Sequence, residues 1–558
     1  MPLVPTNFNV VATSSGNPYS AQATWTNADP DADAIVLQIA LDDGAGNPGA
    51  LHAEVELAGP PASYVRADLP GVRTHWRIKS RVTVDLTARR GIWSYAAVTV
   101  PIGQAVVSAW PPPAITAATR ERYVSPSGSG TAYTQANPGS LEGARDSSQP
   151  GDHIILMNGT YNLASTFFIT DAGTPNAWIV YRAQNVRQAT LQWTPLANNA
   201  MFRCRTGAEY LEFRDLNWTG GTYANVALGA QRTNNSDPIV HHIRFVNNMV
   251  EQMGKGGISF QNCDYMWTMA NDFHRCGHTN GTGFSSAVSH WTNKWLDRDD
   301  GFHHFIIGNR ISGGWDPVHL SDGSGIIMDE PENTSTTPHD VPPFLIANNV
   351  SFMNGARGIT VLRADASDMW VVNNSTFGNG MDTNICSPGG SCPGIQIRRT
   401  TANTRIINNI GHASFNETAT RTYREVDNPA GESSFPNASA TYVRNVAWPA
   451  GRSDGLPGAT TSDTAQYREV NPAYTGPLPA ATYGSHLTAP HPNSIGTMFR
   501  LGSGSAARGI GIRPWDQPGL DPTMVAQMQQ YLSVDVDGRP RPTGTTNWDV
   551  GAYQETGN

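Results

Sequence analysis

A glycine followed by apolar residues at alternate positions recurs in the second half of the sequence. Successive copies lie 26, 42, 33 and 36 residues apart, and they read Gly257-Ile-Ser-Phe, Gly283-Phe-Ser-Ser, Gly325-Ile-Ile-Met, Gly358-Ile-Thr-Val and Gly394-Ile-Gln-Ile. A repeat of this length is typical of a solenoid, in which each copy is one coil. The unequal intervals predict loops of different length that project from one turn of the coil.

Asparagines form a second series in step with the first. Each lies beside an apolar strand, and the series comprises Asn247-Asn248, Asn271, Asn309, Asn348-Asn349, Asn373-Asn374, Asn408-Asn409 and Asn445. Asparagine tolerates the left-handed turn conformation, and stacked asparagine side chains can hydrogen-bond along a column. Parallel strands about 4.8 Å apart would place equivalent residues directly above one another. The two series together predict a parallel β-solenoid.

The first hundred residues have a different pattern. Short runs alternate apolar and polar residues between turn residues, as in a β-sandwich, and the predicted strands are Ala21–Trp25, Ala34–Ala40, His52–Leu57 and His75–Val82. The segment from Tyr64 through Leu69-Pro70-Gly71 to Trp76 resembles a fibronectin type III domain. Pro111-Pro112-Pro113 then predicts a stiff linker over 101–120.

Three segments that flank the repeats add a family resemblance. Ser140-Leu-Glu-Gly-Ala-Arg and Pro150-Gly-Asp-His-Ile-Ile-Leu resemble the N-terminal cap of right-handed parallel β-helix proteins of the pectate-lyase type. Asp537-Gly-Arg-Pro and Asp549-Val-Gly-Ala-Tyr553 resemble the C-terminal closing segment of bacterial β-helix carbohydrate-active proteins. We therefore expect an all-β chain, with a right-handed parallel β-helix over 121–558 and a small β-sandwich over 1–100.

The repeat also predicts which side chains face outward. The first and third residues after each glycine are mostly apolar, so the second and fourth should face solvent by alternation. The fourth position gives Gln261, Ala287, Asp329, Leu362 and Arg398, and the fifth gives Asn262, Val288, Glu330, Arg363 and Arg399. Acids would then stack against arginines on successive coils. This pattern fits a glycan site, and it equally fits a salt-bridge ladder without catalytic meaning.

Acidic residues crowd the neighbouring loops. Asp297, Asp299 and Asp300 precede one strand, and Asp316 and Asp322 precede the next. The segment from Asp322 to Glu330, with the later Arg357-Gly-Ile-Thr-Val, resembles secreted β-helix proteins related to polysaccharide lyases, in which carboxylates often hold Ca²⁺. The resemblance implies Ca²⁺ as a cofactor, with Asp322, Asp329, Glu330, Asp299 and Asp300 as its ligands. Aspartate before glycine or proline is also an ordinary turn former.

Basic residues supply the remaining candidates. Two of the three lysines lie in this stretch, and a lysine with a lowered pKa can accept a proton. The predicted catalytic residues are Lys255, Lys294, Arg363 and Arg398, and the predicted substrate-binding residues are Arg357, Arg399, His290 and His303. His304 and His319 are further candidate bases. Each histidine can equally be structural.

These parts predict an enzyme that degrades an acidic, uronate-containing polysaccharide by β-elimination. Removing the proton next to a uronate carboxylate needs a base and a positive charge on that carboxylate. A hydrolase with paired carboxylates drawn from Asp299, Asp300, Asp329 and Glu330 is one alternative. A non-catalytic adhesin or virion fibre module that only binds glycan is another.

Charge and composition remove other classes of function. The chain carries 37 basic and 46 acidic residues, and its net charge of −9 argues against binding nucleic acid. No run of eighteen apolar residues exists, so we expect no membrane span. The N-terminus carries no secretory signal, so either a signal was removed or the protein leaves its cell by another route. We expect an extracellular protein or a phage virion component, as a homo-oligomer or part of a phage tail. Cys386 and Cys392 flank a loop that one disulfide can close.

Overall fold

The computed structural model describes most of the chain after residue 113. It covers 114–194, 200–220, 226–234, 236–278, 285–329, 341–364, 368–386, 392–400, 404–414, 417, 421–426, 440–450, 467–518, 520–545 and 547–555. The side chains at 363–364, 398–400, 421 and 423–426 are outside the description, and the N-terminal region is described only as the backbone of its strands.

The N-terminal region contains two antiparallel sheets. One sheet has three strands, Thr6–Ser14, Tyr19–Thr26 and Ser63–Leu69, and the other has four, Pro48–Ala58, Ala34–Asp42, Thr74–Arg81 and Ser94–Tyr95. The four strands expected from the sequence are all present. The fibronectin type III assignment stays a prediction, and the linker prolines Pro111-Pro112-Pro113 lie outside the described residues.

The described strands from Arg120 to Arg468 form a right-handed parallel β-helix with three sheets, here named A, B and C. Sheet A contains Arg120–Val124, Asp152–Leu156, Ile179–Ala183, Glu209–Arg214, Val240–Val246, Cys263–Met269, His304–Ile307, Phe344–Ala347, Met369–Val372, Arg405–Ile407 and Thr441–Val443. Sheet B contains Gly159–Leu163, Ala189–Trp193, Asn217–Thr219, Met249–Glu251, Asp272–His274, Arg310–Ser312, Val350–Phe352, Ser375–Phe377, Ile410–His412, Asn445–Trp448 and Tyr467–Arg468. Sheet C contains Phe167–Ile169, Phe202–Cys204, Leu228–Gln231, Ile258–Gln261, Val288–Trp291, Ile326–Asp329, Ile359–Ala364, Pro393–Thr400 and Arg421–Val426.

Each coil passes through sheets A, B and C in that order, which confirms the predicted solenoid. Gly325 and Gly358 lie on adjacent coils, since the N–H of Ile326 donates to the carbonyl of Gly358 at 3.0 Å. Apolar residues from all three sheets fill the interior.

The asparagine series forms one continuous ladder at the turn from sheet A to sheet B. Its members are Asn248, Asn271, Asn309, Asn349, Asn374, Asn409 and Asn445. Nδ2 of Asn349, for example, donates to Oδ1 of Asn374 at 2.9 Å and to the carbonyl of Ile306 at 2.8 Å. The residue before the ladder residue has a positive φ, 54° at Asn348, which asparagine accepts at little cost. The predicted column is confirmed.

The predicted register fails at one coil. Ile258 pairs with Val288 and Phe260 with His290, so this coil enters sheet C at Ala287 and not at Gly283. Ala287 and Val288 are both buried, and their prediction as outward residues is wrong. A histidine occupies an interior position here, which interrupts the apolar alternation that the sequence pattern depends on.

The described part of the β-helix domain contains two α-helices, one beside its first strand and one against the middle of sheet A. Helix α1, Leu141–Asp146, begins at Ser140, whose hydroxyl accepts from the N–H of Gly143, as the N-terminal cap predicts. Helix α2, Pro522–Leu532, begins at Asp521 in the same way, with Met524 as donor. Short 3₁₀ turns occupy Ser485–Thr488, Pro492–Ser494 and Pro514–Asp516. No helix among the described residues is both long and apolar enough to cross a membrane.

The segment after residue 467, here the tail, packs on part of the outer faces of sheets A and B. Phe499 packs on Phe352 and Phe377 of sheet B, with ring centroids 5.1 and 5.7 Å away. In α2, Gln527 exchanges two hydrogen bonds with the backbone of Phe302, next to sheet A. Cys386 and Cys392 form the expected disulfide, while Cys204, Cys263 and Cys276 are buried thiols.

Candidate functional site

The outer face of sheet C presents two parallel rows of side chains. In the first row each residue pairs with the next, and the described members are Gln231, Gln261, Trp291 and Asp329. Leu362 and Arg398 pair further along the sheet. Four of the five residues predicted for this row are therefore confirmed at the backbone level, and Trp291 stands where Ala287 was expected.

The second row has shorter side chains at its centre. It runs from Phe168 through Arg203, Gly229, Ser259 and Ser289 to three buried residues, Ile327, Thr360 and Gln396. Short polar residues beside longer amides and an indole leave room for the hydroxyls and ring faces of a sugar chain.

The turns from sheet B to sheet C bring the charged residues together. Lys255, Asp322 and Arg357 each lie in such a turn, just before a strand of sheet C. Equivalent turns of a solenoid stack on one another. The charge of Asp322 acts on Lys255, and the charges of Arg357 and Asp329 act on Asp322. We call Lys255, Asp322, Asp329 and Arg357 the charged cluster.

A buried carboxylate holds the turn that carries Asp322. Asp316 has no exposed surface and accepts from the backbone N–H groups of His319, Ser321 and Asp322 at 3.1 to 3.3 Å. Arg357 fastens the same turn from the next coil, because its Nη1 donates to the carbonyl of Ser321 at 2.6 Å. The position of the Asp322 carboxyl is thus fixed from two sides.

The electrostatics of the cluster are unusual. Burial, together with the negative charges of Asp329 and Asp316, raises the pKa of Asp322 to about 7. Burial also lowers the pKa of Lys255; the positive charge of Arg203 adds to the effect and the charge of Asp322 opposes it. The cluster therefore holds a carboxyl that carries its proton near neutrality and an amine that releases its proton more readily than usual.

The structure separates the other predicted charged residues from this cluster. Lys294 follows sheet C in the turn toward sheet A, where its N–H donates to the carbonyl of Cys263 at 3.2 Å. It therefore lies beyond the opposite end of the strands from Lys255. Arg363, Arg398 and Arg399 belong to strands of sheet C, but their side chains lie outside the described residues, as does all of Glu330.

Three predicted histidines are inside the molecule. His290 and His304 have no exposed surface and face the interior, where burial lowers the pKa of His290 to about 3. His303 is also fully buried, and its Nδ1 donates to the carboxylate of Asp264 at 3.0 Å. Residues without exposed surface cannot contact a glycan, so the predicted substrate-binding roles of His290 and His303 and the base role of His304 are wrong. His319 is partly exposed and lies near Asp316.

The predicted calcium ligands do not meet in the described part of the chain. Asp299 and Asp300 are exposed in the turn that leaves sheet C, whereas Asp322 precedes the sheet. Among the described residues no group of three or more histidine, cysteine, aspartate or glutamate side chains is arranged to hold a metal ion. Ca²⁺ takes six to eight oxygens, and Asp322 and Asp329 supply too few. The described residues therefore do not form the predicted calcium site, and we derive no step through calcium.

Two residues of this face were missed by the sequence reasoning. Arg203 was missed because it lies on a coil before the first repeat of the glycine motif. Arg203 stands between two apolar residues, Phe202 and Cys204, and this alternation in the sequence indicates that its side chain faces outward. Trp291 was missed because the register was taken from Gly283.

No family model matches the sequence, and no curated protein matches it. Similar solved structures include pectate lyase Pel9A, with 16% identity, 79% of this chain and 97% of that chain covered, and a TM-score of 0.40. A Yersinia enterocolitica family 28 exopolygalacturonase gives 10% identity, 83% and 88% coverage and a TM-score of 0.35. A rhamnogalacturonan lyase is 12% identical, with 64% of this chain and 91% of that chain covered, and a TM-score of 0.30. Similarities this distant carry no argument about reaction or substrate.

Proposed function

We propose that this chain is a glycan-degrading enzyme that cleaves an acidic, uronate-containing polysaccharide by β-elimination on the outer face of sheet C. The observation that supports it is the half-buried Lys255 with its lowered pKa beside Asp322. A pair of neighbouring titratable groups with perturbed pKa values is typical of a catalytic site.

The local charge fits an anionic substrate. Two arginines act on the cluster, Arg203 on Lys255 and Arg357 on Asp322, although the chain as a whole carries a net charge of −9. Positive groups gathered on one face attract a polyanion despite the opposite net charge, because the field at short range depends on the nearest charges. An arginine also binds a carboxylate through two parallel hydrogen bonds.

The cluster has a group for each step of the elimination. In its neutral form Lys255 takes the proton from the carbon next to the uronate carboxylate, while an arginine on that carboxylate stabilises the negative charge that develops. The bond from the neighbouring carbon to the glycosidic oxygen then breaks and leaves a double bond. Asp322, with a pKa of about 7, gives its proton to the departing oxygen.

The test is product formation from a panel of polygalacturonate, alginate and hyaluronan. Elimination yields an unsaturated sugar that absorbs ultraviolet light, and Lys255→Met and Lys255→Arg should lower its rate of formation by about 10²- to 10⁴-fold. Lys294→Arg is the matched control and should keep the wild-type rate. Full activity in both Lys255 variants would refute the assigned base.

Hydrolysis is the second candidate, and one observation favours it. Asp329 helps to raise the pKa of Asp322, so one carboxyl can carry a proton while the other is ionised, as a glycosidase requires. New reducing ends without ultraviolet absorbance, abolished by Asp329→Asn, would select this reaction. Binding without any shortening of the glycan would indicate the non-catalytic module instead.

We also propose the wider organisation of the protein. The chain divides into compact units, Met1–Pro111 with Gln184–Val186, and Pro112–Ala183 with Arg187–Asn558. The first unit fits a fibronectin type III module that serves as a spacer or a binding module. The second unit would act outside the cell or on a virion, because that is where it would meet an acidic polysaccharide. If the two units fold independently, calorimetry should show two unfolding transitions. The molar mass from sedimentation tests whether the chain forms the homo-oligomer expected of a phage tail.

A further inference from the structure

Leu320 has an unusual backbone conformation for a leucine. Its φ is +55°, in the left-handed region that bulky residues rarely adopt. It lies between His319 and Ser321, whose N–H groups both donate to the buried carboxylate of Asp316. Asp316 therefore imposes this conformation.

Most of the other positive φ values follow from the repeating coil geometry, whereas that of Leu320 follows from the hydrogen bonds of Asp316. Most of them repeat in columns from coil to coil, as at Asn247, Ala270, Asn348, Asn373, Asn408 and Arg444 after sheet A, and at Gln252, Arg275 and Met353 after sheet B. Such columns are the corners of the solenoid. Leu320 lies in the long turn before sheet C and belongs to neither column, so the coil geometry does not require it.

The side chain of Leu320 is also unusually exposed. It is 44% exposed, and Val318 in the same turn is 46% exposed. Both belong to the small set of large apolar residues that the described part of the chain leaves in solvent. The hydrogen bonds of Asp316 thus hold the turn in a strained conformation that presents two apolar side chains next to Asp322, a position from which they can contact a ligand of the charged cluster.

We infer that Leu320, with Val318, is a specificity-determining contact for the apolar C–H face of a pyranose ring in the chain cleaved at the charged cluster. The inference rests on the proposed function. Pyranose rings have one face of C–H groups, and burying that face against leucine is favourable. The arginines bind the carboxylate of the glycan, and Leu320 distinguishes a sugar ring from other polyanions.

Two variants separate this role from a structural one. Leu320→Gly and Leu320→Asn both accept a positive φ, so neither should lower the melting temperature. Both should reduce kcat/KM on an acidic oligosaccharide by about tenfold or more, mainly through KM, as loss of a buried leucine contact predicts. Leu296→Asn is the control, because Leu296 is an exposed leucine (40%) in the turn after sheet C.

Each outcome decides the matter. Wild-type kinetics in both Leu320 variants would reject the inference and leave the proposed function intact. A lower melting temperature in both variants, with kinetics altered in proportion, would make Leu320 a structural residue. A wild-type protein that neither cleaves nor binds any acidic glycan would reject the proposed function, and the inference with it.

Discussion

Replacing His290 by leucine should make the protein less sensitive to acid. The imidazole of His290 is fully buried, with Phe260 and Phe344 at ring distances of 5.2 and 5.3 Å. Neither ring nitrogen has a hydrogen-bond partner among the described residues. Burial without a partner disfavours the charged form, which lowers the pKa to about 3.

The magnitude follows from the difference between the folded and unfolded pKa. A histidine in an unfolded chain has a pKa of about 6.5. Between pH 7 and pH 5 the unfolded state takes up a proton at this residue, while the folded state, with a pKa of about 3, does not. The stability that depends on neutral His290 is thus present above the unfolded pKa and lost as the pH falls. The loss over this interval is about 2 kcal/mol.

The assay is urea unfolding of wild type and His290→Leu at both pH values. The free energy of unfolding should fall by about 2 kcal/mol less in the variant than in wild type. Comparing pH differences cancels any change in packing, since leucine and histidine differ in shape at both pH values. Equal losses in the two proteins would show that His290 is not kept neutral and would refute the interior assignment.

His491 provides a control of opposite sign. Burial works against its charge, but the hydrogen bond and charge of Glu251, 2.7 Å away, outweigh burial and raise the pKa of His491. Its contribution is therefore present below about pH 6.5 and lost as the pH rises through the folded value. His491→Gln should destabilise the protein more at pH 5.5 than at pH 8.5.

Two further predictions concern the architecture. Asn349→Leu should lower the free energy of unfolding by about 3 kcal/mol in urea titrations, because the buried N–H groups of Asn309 and the carbonyl of Ile306 lose their hydrogen bonds to Asn349. An unchanged free energy would show that the ladder does not stabilise the fold. Arg541→Met should loosen the tail, since the buried guanidinium donates to Asn348 and to the carbonyl of Gly551. Limited proteolysis should then cut the tail faster than in wild type, and equal rates would count against this.

The coil architecture was predictable because it depends on local and repeated chemistry. Asn349 and its equivalents each occupy a two-residue turn, which needs one left-handed residue and one amide for the ladder. The prediction failed where a residue type broke the pattern. In Val288-Ser-His-Trp alternate residues do face the interior, but one of them is His290, which a hydropathy pattern counts as polar. The register was therefore taken from Gly283, which is not the glycine-equivalent position of this coil.

The site was predictable only in part. Strand alternation gave Asp329 its outward position, and proximity in sequence to a repeat singled out Lys255. No sequence rule shows that the carboxylate of Asp316 accepts hydrogen bonds from three backbone N–H groups of its own turn, because these bonds depend on the path of a long irregular loop. The same limit explains the failed calcium site, since stacking order does not tell at which end of a strand a loop carboxylate lies.

The three faces of the solenoid differ in what they can evolve. The tail packs on part of the outer faces of sheets A and B, and the corner between these sheets holds the asparagine ladder. Among the described residues the turns before sheet C carry only a shorter amide stack, from Asn354 to Asn379, and these turns differ in length. At this edge the chain retains a desolvated lysine, Lys255, and a carboxyl, Asp322, that repels its neighbours. Both arrangements lower the stability of the fold, and a single substitution could remove either of them. We infer that they are kept because binding or catalysis at this edge requires them.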